Sequence, residues 1–220
     1  KLSALANWLV QLPIKPLIKR WADIVLVNNE SEKKYFKILD KQNKVLVILG
    51  AVNIDLINHF LKNNKLPKIN DAVFQGRFHP QKGVVELIDI WKLVIEKLPG
   101  AKLAMIGDGP LLDAVKNRIK KLGLEENIKL FGYVFDGDQK YRIFSQSKVV
   151  VHPAFYDSGG MSAAEAMAFG IPAVGFKLKA YNSYYPKGMI KVEIGDLDSF
   201  AKSVLELLGN DRKREALGKE

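Results

Sequence analysis

The chain of 220 residues suits one large domain, or one domain with part of another, and its 48% hydrophobic content is enough for a real core. It has no cysteine, which excludes disulfides and thiolate metal sites, and its three scattered histidines (His59, His79, His152) make no zinc pattern. An excess of 34 Lys and Arg over 24 Asp and Glu, a formal +10, favours anionic partners: nucleotide phosphates, nucleic acid or an acidic membrane surface.

In the first fifty-five residues, Trp8, Leu9, Leu12, Ile14, Leu17, Ile18 and Trp21 are interleaved with Lys15, Lys19 and Arg20, and two prolines break the run. This stretch reads either as a surface for an acidic membrane or as the packed part of a truncated domain. No apolar run approaches the ~20 residues of a membrane span. A strand from Asp23 to Val27, a helix from about Ser31 to Leu39 and a strand from Val45 to Leu49 are expected next. The polar stretch Lys62 to Asn70, with Pro67, reads as a linker.

From Ala72 onward, strands and helices alternate. Short apolar runs at 72–74, 103–106, 128–131, 149–151 and 172–174, mostly bounded by Gly or Pro, suit buried strands. Between them, one amphipathic helix runs from about Val84 to Leu98 and ends at Pro99-Gly100. Another carries Leu112, Val115, Ile119 and Leu122 on one face, with Gly123 as its stop. The alternation predicts an α/β fold, a Rossmann-like doubly wound parallel sheet that binds ligands beyond the carboxyl ends of its strands.

The candidate residues fall at those ends. Gly76-Arg77-Phe78-His79-Pro80-Gln81-Lys82-Gly83 follows the first strand of this region, and a loop with Arg and Lys suits a diphosphate. Solvated basic residues are the plainer alternative. Ile106-Gly107-Asp108-Gly109-Pro110 reads as a strand-to-helix turn and lacks a full dinucleotide fingerprint. Gly132-Tyr133-Val134 offers backbone groups to a base, or is simply a loop. His152-Pro153 closes another strand five residues before Asp157; His152 either reaches the site or, as the plainer reading, is a hydrogen-bonded core histidine. The segment Asp157-Ser158-Gly159-Gly160 leads into a helix, Met161 to Phe169, whose only polar residues are Ser162 and Glu165.

A helix without a polar face is expected to be buried all round. A carboxylate on it needs a partner, because a charge removed from water costs several kcal/mol. Glu165 either pairs with a core Lys or Arg, with Gly159-Gly160 a mere tight turn, or the acid–turn–acid arrangement binds a ligand with hydroxyls and phosphates.

These residues resemble glycosyltransferase family 4, retaining enzymes of the GT-B fold. The resemblance covers nearly the whole chain: Trp21 to Asn29, Gly50 to Asp55, Gly76-Arg77 with Lys82-Gly83, Ile106 to Pro110, and the two-acid motif from Asp157 to Glu165 followed by Ala166 to Pro172. It implies that residues 1–60 end an N-terminal acceptor domain, 61–70 link, and 71–220 form the C-terminal nucleotide-sugar-binding domain of a GT-B fold. It implies a retaining glycosyltransferase moving a sugar from a UDP- or GDP-sugar to a glycan or lipid-linked acceptor. Nucleic acid is not an expected partner, because no basic stripe is interleaved with stacking aromatics.

By the same resemblance Arg77 and Lys82 hold the diphosphate and Glu165 takes the ribose hydroxyls. Asp157 binds hydroxyls of the donor sugar, the backbone of Val134 meets the base, and Gly76, Ser158, Gly159, Gly160, Met161 and Ser162 line the donor. Arg77, Lys82 and Asp157 are thus the expected catalytic residues, with no metal and no cofactor. The chain alone is expected to bind donor and turn over poorly or not at all. A cytoplasmic place, peripheral at the inner face of a membrane, also follows by resemblance. Asp157 departs from the family's usual Glu by one methylene, and Ser158-Gly159 stands where Gly-Phe is commoner. A nucleotide-sugar 2-epimerase of the same architecture and a non-catalytic nucleotide-binding domain are the alternatives.

Overall fold

The computed structural model describes residues 18, 20–48 and 50–220. Residues 1–17, which hold Trp8 and Lys15, lie outside the described residues, as does Leu49 of the second expected strand. By its contacts the chain divides into two compact units between Gly50 and Ala51. In the smaller, β1 (Val25–Val27) and β2 (Val45–Val47) pair in parallel, joined through a 3₁₀ turn (Glu30–Phe36) and a short helix α1 (Lys37–Asp40). Val27, Leu39 and Val45 form its buried core.

The larger unit opens with α2 (Ile54–Asn63). From the sequence, residues 1–60 are expected to end the first domain and 61–70 to link, with no helix named at this place. The structure instead buries Ile57 and Phe60 of α2 in the core of the larger unit, so its contacts belong there. Six parallel strands follow: β3 (Asn70–Gln75), β4 (Leu103–Ile106), β5 (Ile128–Leu130), β6 (Ser147–His152), β7 (Ala173–Phe176) and β8 (Met189–Val192). Between and after them run α3 (Val84–Lys97), α4 (Leu112–Leu122), α5 (Asp138–Ser145), α6 (Met161–Met167), α7 (Tyr181–Tyr184), α8 (Leu197–Gly209) and α9 (Asp211–Gly218).

Side chains alternate across the sheet with the period of two that a strand imposes. Ala72, Phe74, Leu103, Met105, Val149 and Val151 face one core, where α3 contributes Leu87, Ile88, Trp91 and Val94 and α8 contributes Phe200 and Val204. Val73, Ala104, Ile106 and Val150 face the other, with Ile57 of α2, Phe144 of α5 and Ala163 and Ala166 of α6. Both faces are covered, which is why these strands read as near-continuous apolar runs. The doubly wound sheet expected from the sequence is the fold observed.

The strand order β5-β4-β3-β6-β7-β8 places the topological switch between β3 and β6. The chain leaves β3 toward β4 and leaves β6 toward β7, so the loops beyond these two strands diverge and open a crevice at their carboxyl ends.

Backbone contacts hold the loops at that edge. Gly76 N–H donates to Ile106 O at 3.0 Å, Phe78 N–H to Asp108 O at 2.7 Å, and Gly107 N–H to Gly132 O at 2.8 Å. Phe155 N–H donates to Gln81 O at 2.9 Å, which ties the Lys82 turn to the loop after β6. Gly107, at φ +140°, has no room for a side chain, because a Cβ there would lie 1.9 Å from Gly76 O. Gly107→Ala should therefore lower the unfolding free energy by about 2 kcal/mol or more in urea denaturation, through strain at positive φ and loss of the loop contact.

Candidate functional site

Two adjoining clefts occupy the crevice. One, of about 370 Å³, is lined by Gln75, Gly76, Arg77, Ile106, Gly107, Asp108, Tyr133, Val134 and Ser162. The other, of about 430 Å³, is lined by Ala51, Val52, Asn53, Ile57, Gln75, Asp136, Tyr141, Met161, Ser162 and Glu165. They share Gln75 at the end of β3 and Ser162 in the first turn of α6.

Of the residues expected from the sequence, Gly76, Arg77, Val134, Met161, Ser162 and Glu165 line these clefts. Lys82, Asp157, Gly159 and Gly160 are not among the lining residues of either cleft and form a hydrogen-bonded knot of their own, with Ser158 in the same turn.

Glu165 has the partner its position demands. Lys140 Nζ, on α5, pairs with Glu165 Oε1, and Gln75 Nε2 donates to Oε2 at 3.1 Å. The pairing with a core lysine, one of the two sequence readings, is observed. It does not close the site. A carboxylate has about four lone-pair positions, and among the described residues these two donors are the only ones that reach Glu165. Lys140 also meets Asp136 Oδ1 at 3.1 Å and is nearly covered, with 7% of its side chain exposed. Burial alone would lower its pKa, but the hydrogen bonds and charges of Glu165 and Asp136 outweigh that and hold it above the ordinary lysine value. Lys140 therefore stays a cation beside the acid.

The expectation that α6 is buried all round does not hold. Only Ala163 and Ala166 are fully buried, while Met161, Ser162 and Glu165 look into the second cleft. The helix is apolar because its exposed side forms a wall of the crevice, and it carries its one charge there.

Asp157 is held differently. Its Oδ1 accepts from Gly159 N–H at 3.2 Å and from Gly160 N–H at 2.8 Å. Its Oδ2 faces the Lys82 ammonium and His152 Nε2, the latter at 3.0 Å. Short acids favour this bonding to their own backbone two and three residues on. The side chain is 8% exposed, against 16% for Lys82. Burial alone would raise the Asp157 pKa; hydrogen bonds from His152 and Lys82, and their charges, outweigh it and hold the carboxyl well below the usual range.

Tyr185 Oη donates to Gly159 O at 3.0 Å and also reaches Gly160 O. Tyr181 and Tyr185 are both shifted up, first by burial and then by the charge of Asp157. His152 is buried and hydrogen-bonded, as in the plainer reading, and its bond goes to the motif's first acid.

Sequence reasoning passes over Lys140, Gln75, Asp136 and Tyr185. Lys140 falls in no element named from the sequence, and Gln75 lies one residue past the expected strand at 72–74. The only signal that could have found them is the demand of Glu165 for donors, which names no sequence position. Among the described residues there is no cluster of three or more His, Asp or Glu able to hold a metal. Arg77 is exposed at the rim of the first cleft and has no ion pair among the described residues.

The six-stranded parallel sheet and its strand order are those of solved glycosyltransferases of the GT-B fold. The crystal structure of TarM superposes with a TM-score of 0.76 at 24% identity, covering 93% of this chain and 41% of that one. That of HepE from Anabaena with UDP-glucose superposes at 0.74 with 20% identity, covering 92% and 58%. Residues 55–220 match the family of glycosyl transferases group 1, and the chain belongs to that family.

Among its relatives is the poly(ribitol-phosphate) alpha-N-acetylglucosaminyltransferase of Staphylococcus aureus, 29% identical over 204 residues, which are 83% of this chain and 40% of that protein. Another is the phosphatidyl-myo-inositol mannosyltransferase of Mycobacterium leprae, 30% identical over 172 residues, 76% of this chain and 45% of that protein. The chain thus spans less than half the length of these two relatives.

The buried His152 makes stability depend on pH. Burial lowers its pKa from 6.5; the hydrogen bond and charge of Asp157 oppose this without cancelling it, and the Lys82 charge adds to the lowering. The unfolded chain therefore takes up the proton first as pH falls. The His152 contribution is complete above about pH 6.5 and is lost on acidification, at up to about 1.4 kcal/mol per pH unit. Urea unfolding between pH 7 and 5 should show this slope, and His152→Gln should remove it. The Asp157 contribution has the same sign in a lower window, present above about pH 4 and lost below it.

Proposed function

We propose that this chain is the donor-binding part of a retaining family 4 glycosyltransferase, which moves a sugar from a nucleotide-diphosphate sugar to a glycan or lipid-linked acceptor. One observation carries the reading: a half-satisfied carboxylate, Glu165, faces a cleft that meets a second cleft bearing Arg77 and the Val134 loop. The two open acceptor positions on Glu165 suit the two hydroxyls of a ribose. The apolar floor formed by Ile106 and Val134 suits a base, with backbone groups of Val134 at its edge. Arg77 at the rim, with Lys82, takes the diphosphate. Gly76, Gly107 and the first-turn amides of Met161 and Ser162 allow close approach of its oxygens.

In the reaction so assigned, the bond from the anomeric carbon to the diphosphate breaks and a bond to the acceptor oxygen forms on the same face. The acceptor's proton goes to the leaving phosphate. The protein supplies position and charge: Arg77 and Lys82 offset the negative charge that grows on the leaving group, a task that otherwise falls to a metal. Relatives that act on poly(ribitol-phosphate) and phosphatidyl-myo-inositol support a phosphate-bearing acceptor, and the formal charge of +10 suits one. Both are transferases rather than 2-epimerases. A place at the inner face of a membrane fits the same acceptor class.

Calorimetric titration with UDP, GDP and ADP tests the donor site. At least one should bind, and Glu165→Ala and Arg77→Ala should each weaken it by about tenfold or more, the worth of a hydrogen bond to a charged group. A folded protein that binds none of the three refutes the assignment.

A further inference from the structure

We propose that Asp157, the first acid of the two-acid motif, is a positioning residue in this protein and makes no contact with the donor sugar. The proposal rests on the donor site described above and concerns how that site is divided between its two acids.

The two carboxylates differ in what remains open. Each offers about four lone-pair positions. Two donors reach Glu165, which leaves two for a ligand. Four donors reach Asp157: the amides of Gly159 and Gly160 on Oδ1, and Lys82 and His152 on Oδ2. The Tyr181 hydroxyl is buried in the field of the same acid, and the Asp157 side chain is only 8% exposed. A sugar hydroxyl would have to displace one of these donors and leave it without a partner in a covered place, which is costly.

Each donor has its own reason to stay. The two amides are bound because Asp is short enough to fold back on its own turn, and a Glu, one methylene longer, fits that closure less well. His152 is buried and has Asp157 as its hydrogen-bonding partner. The Lys82 ammonium has three N–H groups, and its pairing with Asp157 leaves the other two for a phosphate. Asp157 therefore fixes both the Gly159-Gly160 turn and the direction of Lys82. The change from the family's Glu to Asp removes an acceptor from the sugar and adds a brace behind the phosphate site.

The test compares UDP with UDP-glucose, and GDP with GDP-mannose, by calorimetry on the wild-type protein and on Asp157→Asn. The amide oxygen of Asn still accepts from the Gly159 and Gly160 amides, so the turn can persist while the charge facing Lys82 is lost. A positioning residue changes nucleotide and nucleotide-sugar affinity by the same factor, so their ratio stays within about twofold. A sugar ligand leaves UDP unchanged and weakens UDP-glucose about tenfold or more.

Asp157→Asn should also be non-additive with Lys82→Ala for UDP binding, by about threefold or more, as contacting residues are. Asp157→Glu, the family's residue, should fail to tighten UDP-glucose relative to UDP. If Asp157→Asn does not fold, Asp157→Ser carries the same comparison. A selective loss of nucleotide-sugar binding, strict additivity with Lys82→Ala, or a selective gain in Asp157→Glu would each overturn the proposal while leaving the donor site standing. If only ADP binds, ADP and ADP-glucose carry the same comparison; failure of the wild-type protein to bind any of these compounds would overturn both.

Discussion

The pairing of β3 with β6 is the contact on which the site depends. Asn70 sits opposite Ser147, and Ala72 and Val73 opposite Val149 and Val150, although most of a βαβαβ unit and a further helix separate them in the chain. Because the chain leaves these neighbours in opposite directions, no connection crosses the space above them. Backbone bonds between loops then make that space a fixed crevice, and Gln75, the last residue of β3, is delivered beside Glu165 on the helix that follows β6. The chemistry of the site is thus a consequence of strand order, with the two halves of the sheet each supplying one wall.

Within that frame, the two acids of one motif have separate surroundings. Glu165 meets a cation and an amide, and keeps acceptor capacity toward a cleft. Asp157 meets two backbone amides, a lysine and a histidine, and keeps none. The knot around Asp157 also joins parts that the sheet alone would not hold together: Lys82 from the turn before α3, His152 from the end of β6, and the Gly159-Gly160 turn. Tyr185, from beyond α7, secures the same turn from the carbonyl side. A diphosphate approaching Lys82 would meet an ammonium that Asp157 already holds in place, and little reorganisation of that group would be needed as charge develops.

Much of the fold was legible in the sequence. The strands β3 to β7 announce themselves as short apolar runs because both of their faces are covered, and α3 and α4 show their apolar stripes because one face is not. β8 was harder to see: Met-Ile-Lys-Val is short, sits at the sheet's edge, and leaves Ile190 and Lys191 half-buried, so neither pattern is clean. The helix α2 is not named from the sequence, where residues up to 60 are grouped with the first domain; its burial is tertiary, through Ile57 and Phe60, and no local feature says which core they enter.

The candidate site was legible in outline, since Glu165 on an apolar helix required partners. The partners themselves were not, because Lys140 and Gln75 lie on elements brought in by topology. The saturation of Asp157 was equally hidden. It depends on a rotamer and a turn rather than on a spacing, and the motif reads the same whether its first acid is open or closed.

The central claim is that the ligand's hydroxyls go to Glu165 and not to Asp157, and a crystal structure of the protein with UDP tests it most directly. The account predicts the ribose hydroxyls within hydrogen-bonding distance of Glu165, the base beside Val134, the diphosphate at Arg77 and Lys82, and Asp157 still bound to the Gly159 and Gly160 amides. A ribose seated on Asp157, with Glu165 engaged only by Lys140 and Gln75, would contradict it.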